Sequence, residues 1–135
     1  MKQDDFVLKQ IDLLGKIIGK IISDLLNIKN NSEIFDVYQF VSENLKKELN
    51  LELDVLLDLN ENELIALLTI ENHFDSNNIE KIAELFYLLG KSTSKIKADL
   101  CLQKSLVLLN YVDSRTNTYS LERLHKISRI ENLIK

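Results

Sequence analysis

Proline is absent from this 135-residue chain, glycine occurs three times and cysteine once. Proline would remove a backbone donor inside a helix and glycine would loosen it, so their scarcity leaves long helices uninterrupted. The single cysteine, Cys101, excludes an internal disulfide and fits a reducing compartment, which makes a cytoplasmic setting the expectation. Long apolar runs are missing too: Lys9, Asp12, Lys16, Lys20 and Asp24 break the longest candidate, so no membrane partner is expected. The opening Met1-Lys2-Gln3-Asp4-Asp5 is too acidic to read as a secretion signal.

Charge of one sign is not concentrated anywhere. The net charge is -4, and lysine and arginine are scattered along the chain, which argues against a nucleic-acid partner. A nucleic-acid surface would require folding to gather Lys91, Lys95, Lys97, Lys104 and Arg115 on one face. The common catalytic signatures are also missing: no glycine-rich phosphate loop, no Gly-x-Ser-x-Gly and no His-Glu-x-x-His. His73 and His125 have no partner at a metal-ligand spacing, so Glu71 with His73 and Glu122 with His125 read as surface pairs. Cys101 lies beside Ala98 and Leu102 on an apolar helix side and reads as a small buried hydrophobe. Glu48, Glu52, Asp54, Asp58, Glu61 and Glu63 lack the glycine and alternating oxygen ligands of a calcium loop, leaving a solvated acidic face. No catalytic residue, metal ligand or cofactor is expected from these patterns.

What the sequence does contain is helix periodicity. With 45% apolar and 28% charged residues, the proportions are those of one globular domain spanning 1–135. A first helix is expected from Asp4 to Ile28, within a long N-terminal segment 1–30. Val7, Ile11, Leu14, Ile18, Ile21, Leu25 and Ile28 alternate spacings of four and three, a seam that needs a helical partner. Phe6, Leu13 and Ile17 widen this apolar surface, and Asp5, Lys9, Asp12, Lys16 and Lys20 form the wet stripe. Asn30 and Asn31 suit a turn, and Ser32 suits the cap of a helix from Glu33 to Leu49 facing Ile34, Val37, Tyr38, Val41 and Leu45 inward. A short helix Leu53–Leu59 follows, then a capping box, Asn60 with Glu63, opening a helix that carries Leu64, Ile65, Leu67, Leu68 and Ile70.

Asp75-Ser76-Asn77-Asn78 is the clearest polar break, and three helices are expected after it. Ile79 to Lys91 carries Ile82, Ala83, Leu85, Phe86 and Leu89 inward and stops near Gly90. Ser94 to Tyr111 presents Ala98, Cys101, Leu102, Ser105, Leu106 and Leu109, and Ser120 to Ile134 presents Leu121, Leu124, Ile127, Ile130 and Ile134, each after a capping serine. The fold class is therefore all-α, about six antiparallel helices in a bundle or helix-pair array.

Gly15 and Gly19 stand four apart on the first helix and leave a flat strip where another helix can approach closely. That approach is either an ordinary crossing within the chain or self-association through this helix. The candidate interface comprises Leu8, Ile11, Gly15, Ile18, Gly19, Ile22 and Leu26.

The stretch Ile79 to Asn110 resembles a degenerate tetratricopeptide repeat, with Ile82, Leu85, Leu89, Ala98, Leu102 and Ser105 at its packing positions. Phe86 stands where that family has a small residue, and Asn110 where it usually has proline. Taken whole, the chain resembles an uncharacterised family of small bacterial helical proteins, on Lys2-Gln3-Asp4-Asp5-Phe6 before a long apolar helix and Ser120-Leu121-Glu122-Arg123 at a late helix start. That resemblance implies a tetratricopeptide-like helical region at 79–135 and brings no known activity. The functional expectation is a non-catalytic module that binds a protein partner or itself, as a homodimer through the N-terminal helix. The alternative is a small-molecule binder or enzyme with a pocket between helices near Tyr87, Tyr111 and Tyr119.

Overall fold

A computed structural model describes residues 2–31, 36–117 and 119–134. Among these residues the chain forms seven α-helices and no strand: α1 (Lys2–Asn31), α2 (Val37–Leu49), α3 (Leu53–Asp58), α4 (Glu61–Ala66), α5 (Ser76–Gly90), α6 (Lys95–Arg115) and α7 (Leu121–Ile134). The all-α class follows from the periodicity, and several helix ends follow from local capping. Asn60 accepts the Glu63 amide at 2.8 Å while the Glu63 carboxylate accepts the Asn60 amide at 3.0 Å, so the capping box forms as its spacing requires.

Other boundaries differ from the sequence expectation for identifiable reasons. Asn30 and Asn31 belong to the last turn of α1 and not to a turn beyond it. Asp36 caps α2, its carboxylate accepting the Gln39 amide at 3.0 Å; the expected start at Ser32 and Glu33, with Ile34, lies outside the described residues. Asp75 does the same for α5 through the Asn78 amide at 2.9 Å, which turns the polar run into a cap and first turn. Ser120 accepts the Arg123 amide at 3.2 Å, whereas Ser94 precedes α6 without a side-chain capping bond. After α4 the backbone widens into one π-helical turn, Leu67–Glu71, which keeps Leu68 in the core and leaves Ile70 71% exposed.

Hydrogen-bond pairs set the direction of each packed helix. Ser105 Oγ donates to the Ala83 carbonyl at 2.7 Å, and further along α5 Gly90 faces Leu102, so the residue numbers run oppositely and α5 and α6 are antiparallel. Asn78 Nδ2 donates to the Ile11 carbonyl at 3.0 Å and Lys81 Nζ to the Gly15 carbonyl at 3.2 Å, so α1 runs in the direction of α5. Glu80 with Arg123, Glu84 with Lys126, and Tyr87 with Arg129 also rise together, which places α7 parallel to α5. One layer is thus α1, α5 and α7 in a common direction. Behind it α6 contacts α3, α4 and α7, and α2 joins α1 to α3.

The core lies between these layers. Ile18, Leu25, Val41, Leu45, Leu64, Leu68, Leu85, Phe86, Leu108 and Ile130 are all buried to within 1% of full burial. Ile18, Ile21 and Leu25 of the expected α1 seam are buried, and Ile11, Leu14 and Ile28 are half-buried; the Val7 side chain lies outside the described residues. Each fully buried leucine or isoleucine contributes on the order of 1.5–3 kcal/mol, so this shared interior, more than helix propensity, holds the seven helices together.

Candidate functional site: a groove beside the first helix

Two helix ends close in the same manner on one side of α1. At the end of α2, Asn50 adopts a left-handed backbone with φ 55°, its amide donates to the Lys46 carbonyl at 3.1 Å, and the Leu51 amide reaches the Leu45 carbonyl at 3.1 Å. At the end of the π turn, His73 adopts φ 58° and the Phe74 amide reaches the Leu68 carbonyl at 2.9 Å. Asn72 Nδ2 adds a bond to the Leu67 carbonyl at 2.7 Å. Each closure satisfies carbonyls that the helix end leaves free, and each turns the next hydrophobe, Leu51 or Phe74, into the core. Asn50 and His73 are thereby held at the surface, both lining the rim of a groove.

Between this rim and α1 lies a groove of about 600 Å³. Ile11, Leu13, Leu14 and Ile17 of α1 and Leu49 of α2 supply apolar lining, and Gln10, Lys47, Glu48, Asn50, Glu71, Asn72 and His73 supply polar groups. Leu13 is 57% exposed, an apolar side chain left in water at the lip. The lining contains carboxylates, a lysine and a histidine but no hydroxyl or thiol nucleophile. Among the described residues no three His, Cys, Asp or Glu side chains converge as a metal site. The groove thus has an apolar wall along α1 and a largely polar margin facing it.

The seven interface residues read from the sequence do not form one open strip. Gly15 is buried beneath α5: a Cβ there would stand 2.9 Å from Asn78 Oδ1 and 3.0 Å from Lys81 Nζ. Ile18 is fully buried. A Cβ at Gly19 would meet nothing within 4 Å. Ile11 lines the groove, Ile22 is half-buried, and Leu8 and Leu26 are exposed at 59% and 42%. Gly15 therefore serves a helix crossing within the chain, and the exposed apolar side chains of α1 among the described residues are Leu8, Leu13 and Leu26, of which Leu13 lines the groove.

The tyrosines do not gather either. Tyr87 is buried, accepting from Arg129 Nη1 at 3.5 Å with Lys91 Nζ 5.3 Å from its ring centre. Tyr111 is half-buried beneath Arg115, and Tyr119 is 75% exposed. None lines the groove. Tyr38 joins three helices instead: its hydroxyl donates to Asp54, and Lys97 Nζ lies 3.9 Å above its ring. Burial, reinforced by that carboxylate, holds its phenol above the ordinary range.

Cys101 is fully buried, and burial pushes its thiol up to about 12, against a smaller opposing pull from Lys97, so it is an inert core residue. Glu48, Glu52, Asp54, Asp58, Glu61 and Glu63 are all exposed, as their pattern implies, and so are His73 and His125.

Sequence reasoning named Leu13 and Ile17 as apolar excess but did not reach the opposite wall. Asn50 followed by Leu51 was a usable signal, since asparagine tolerates the left-handed backbone and a hydrophobe follows it; His73 carries no comparable signal. No protein-family profile, no curated protein and no solved structure matches this chain. No helix among the described residues is long and apolar enough to cross a membrane.

Proposed function

We propose that the chain is a non-catalytic interaction module that docks an apolar segment of another polypeptide, a partner protein or a second copy, in the groove beside α1. The observation that carries this reading is the groove itself, with Leu13 exposed at its lip and a rim of both charge signs. Interfaces place an apolar anchor in such a setting and surround it with polar contacts. The layering of α1, α5 and α7 in one direction, with α6 behind them, supports a tetratricopeptide-like reading of the helix pairs. A cytoplasmic setting belongs to the same reading, on the lone, reduced and buried Cys101.

Leu13→Asp tests it without disturbing the core, because Leu13 faces water. Sedimentation across a concentration series, together with affinity capture from native lysate, is run on wild type and variant in parallel. The reading requires a self-complex or a captured protein that the variant loses at unchanged helicity. A monomer with identical capture by both proteins sinks it.

A second reading, a small-molecule binder, is favoured by the groove's volume, which falls within the roughly 300–1,000 Å³ of ligand sites. Native mass spectrometry of the purified chain distinguishes the two: a retained small ligand displaced in Leu13→Asp supports this second reading, and an unliganded mass with no thermal shift across a metabolite panel counts against it.

A further inference from the structure

We infer that α7 is a strap, packed on α6 and tied to α5 by a ladder of charged side chains, which releases from the α5–α6 pair as a unit ahead of the rest of the fold and does so more readily as ionic strength rises. The ladder has a regular register. Arg123 Nε and Nη2 donate to the two oxygens of Glu80 at 3.2 and 3.1 Å, Lys126 pairs with Glu84, and Arg129 Nη1 donates to the Tyr87 hydroxyl at 3.5 Å. Sequence offsets of 43, 42 and 42 residues put these rungs one helical turn apart along two parallel helices. Arg123 Nη1 extends the top rung to Asp113 at 3.2 Å and Thr116 at 3.4 Å, tying in the end of α6.

The packing of α7 on α6 rests on few buried side chains. The buried residues of α7 are Arg123, Ile127 and Ile130, against nine on α5 and six on α6. The ladder's partners keep contact with water: the side chains of Glu80, Asp113, Glu84 and Lys126 are 33%, 38%, 31% and 29% exposed. Arg123 itself is 7% exposed, so its rung is screened less than the Lys126–Glu84 rung, but both open to water through their carboxylates and weaken with salt, unlike the isoleucine contacts. A 14-residue helix is also too short to persist alone in water, so losing the ladder means undocking and unwinding together. Such partial opening is a local unfolding event, governed by the contacts of α7 alone.

Hydrogen exchange on the full chain tests this. Raising sodium chloride from about 0.05 M to about 1 M is expected to speed exchange of the α7 amides roughly tenfold while those of α5 and α6 stay within about twofold. In Glu80→Gln/Glu84→Gln the α7 amides should exchange fast already at low salt and respond little to more, with α5 protection retained as proof of folding. Exchange of α7, α5 and α6 at one common rate in both salts would overturn the proposal. So would a full salt response persisting in the double variant. If the double variant fails to fold, the wild-type salt series decides alone.

Discussion

Helix α5 meets α6 on one side and α1 on the other, and the two contacts are made differently. Against α6 the contact is apolar and closed: Gly90 admits Leu102, and the hydrogen bond from Ser105 to the Ala83 carbonyl is fully buried. Against α1 polar side chains enter the contact: Asn78 and Lys81 reach the carbonyls of Ile11 and Gly15, and Gly19, one turn further on, faces open space. A glycine among close-packed branched side chains fixes how near two helices come. A glycine beneath two polar head groups leaves one flexible partner that can move. The difference makes α5–α6 the rigid spine and α1 the adjustable side, and the groove opens on the adjustable side.

Gly90→Ala strikes the spine and should have the largest effect. The added Cβ would lie 2.6 Å from both Cγ and Cδ2 of Leu102 and 3.2 Å from the Ala98 carbonyl oxygen, and Leu102 is itself 95% covered. Overpacking of this kind costs about 2–3 kcal/mol, more than the roughly 1 kcal/mol that alanine returns in helix propensity. Urea denaturation should record a lowered midpoint with an unchanged slope; an unchanged midpoint would mean the spine yields as easily as the α1 side.

Cys101, on α6 beside Leu102, probes the same interior through pH. Its thiol titrates near 12 when folded and near 9 when unfolded, so between these values the unfolded chain binds fewer protons than the folded one. Stability must then fall as pH rises from 9 toward 12, by up to about 1.4 kcal/mol per pH unit from this group. The check is the difference between wild type and Cys101→Ala across that window: the variant should lose this part of the slope, and parallel curves would indicate that water reaches the α5–α6 interior.

How much of this was legible beforehand depended on range. The spine was readable because its determinants are periodic: Ile82, Leu85, Leu89, Leu102 and Ser105 recur at helical spacing, and all are buried. The Asn60–Glu63 box was readable because both partners sit within one turn. The groove was half readable. Leu13 and Ile17 stand out as apolar residues beyond the seam, but the opposing wall comes from Lys47 to Asn50 and Glu71 to His73, whose proximity to α1 is a tertiary fact. The glycine strip was half readable for a related reason: spacing marks a close approach at Gly15 but does not tell that Asn78 and Lys81 fill it, or that nothing fills Gly19.

Gly15→Ala comes next in size. Its Cβ would crowd Asn78 Oδ1 at 2.9 Å and Lys81 Nζ at 3.0 Å. Lys81 is exposed and can swing away, but Asn78 is 2% exposed and holds the Ile11 carbonyl. After the propensity gain, a net loss of about 0.5 kcal/mol is expected, against about 1–2 kcal/mol net at Gly90. Equal losses at the two glycines would erase the distinction between spine and adjustable side.

Gly19→Ala is the smallest change and the sharpest, because its sign should reverse. No neighbouring atom comes within 4 Å of the new Cβ, and the helical backbone there already suits an L side chain. The substitution removes freedom from the unfolded chain and adds a better helix former, so the midpoint should rise by the equivalent of about 0.5–1 kcal/mol. A loss instead would mean that α1 and α5 close together at Gly19 in solution. Open space beside Gly19 is what distinguishes it from Gly15, so that result would place the two glycines in the same class.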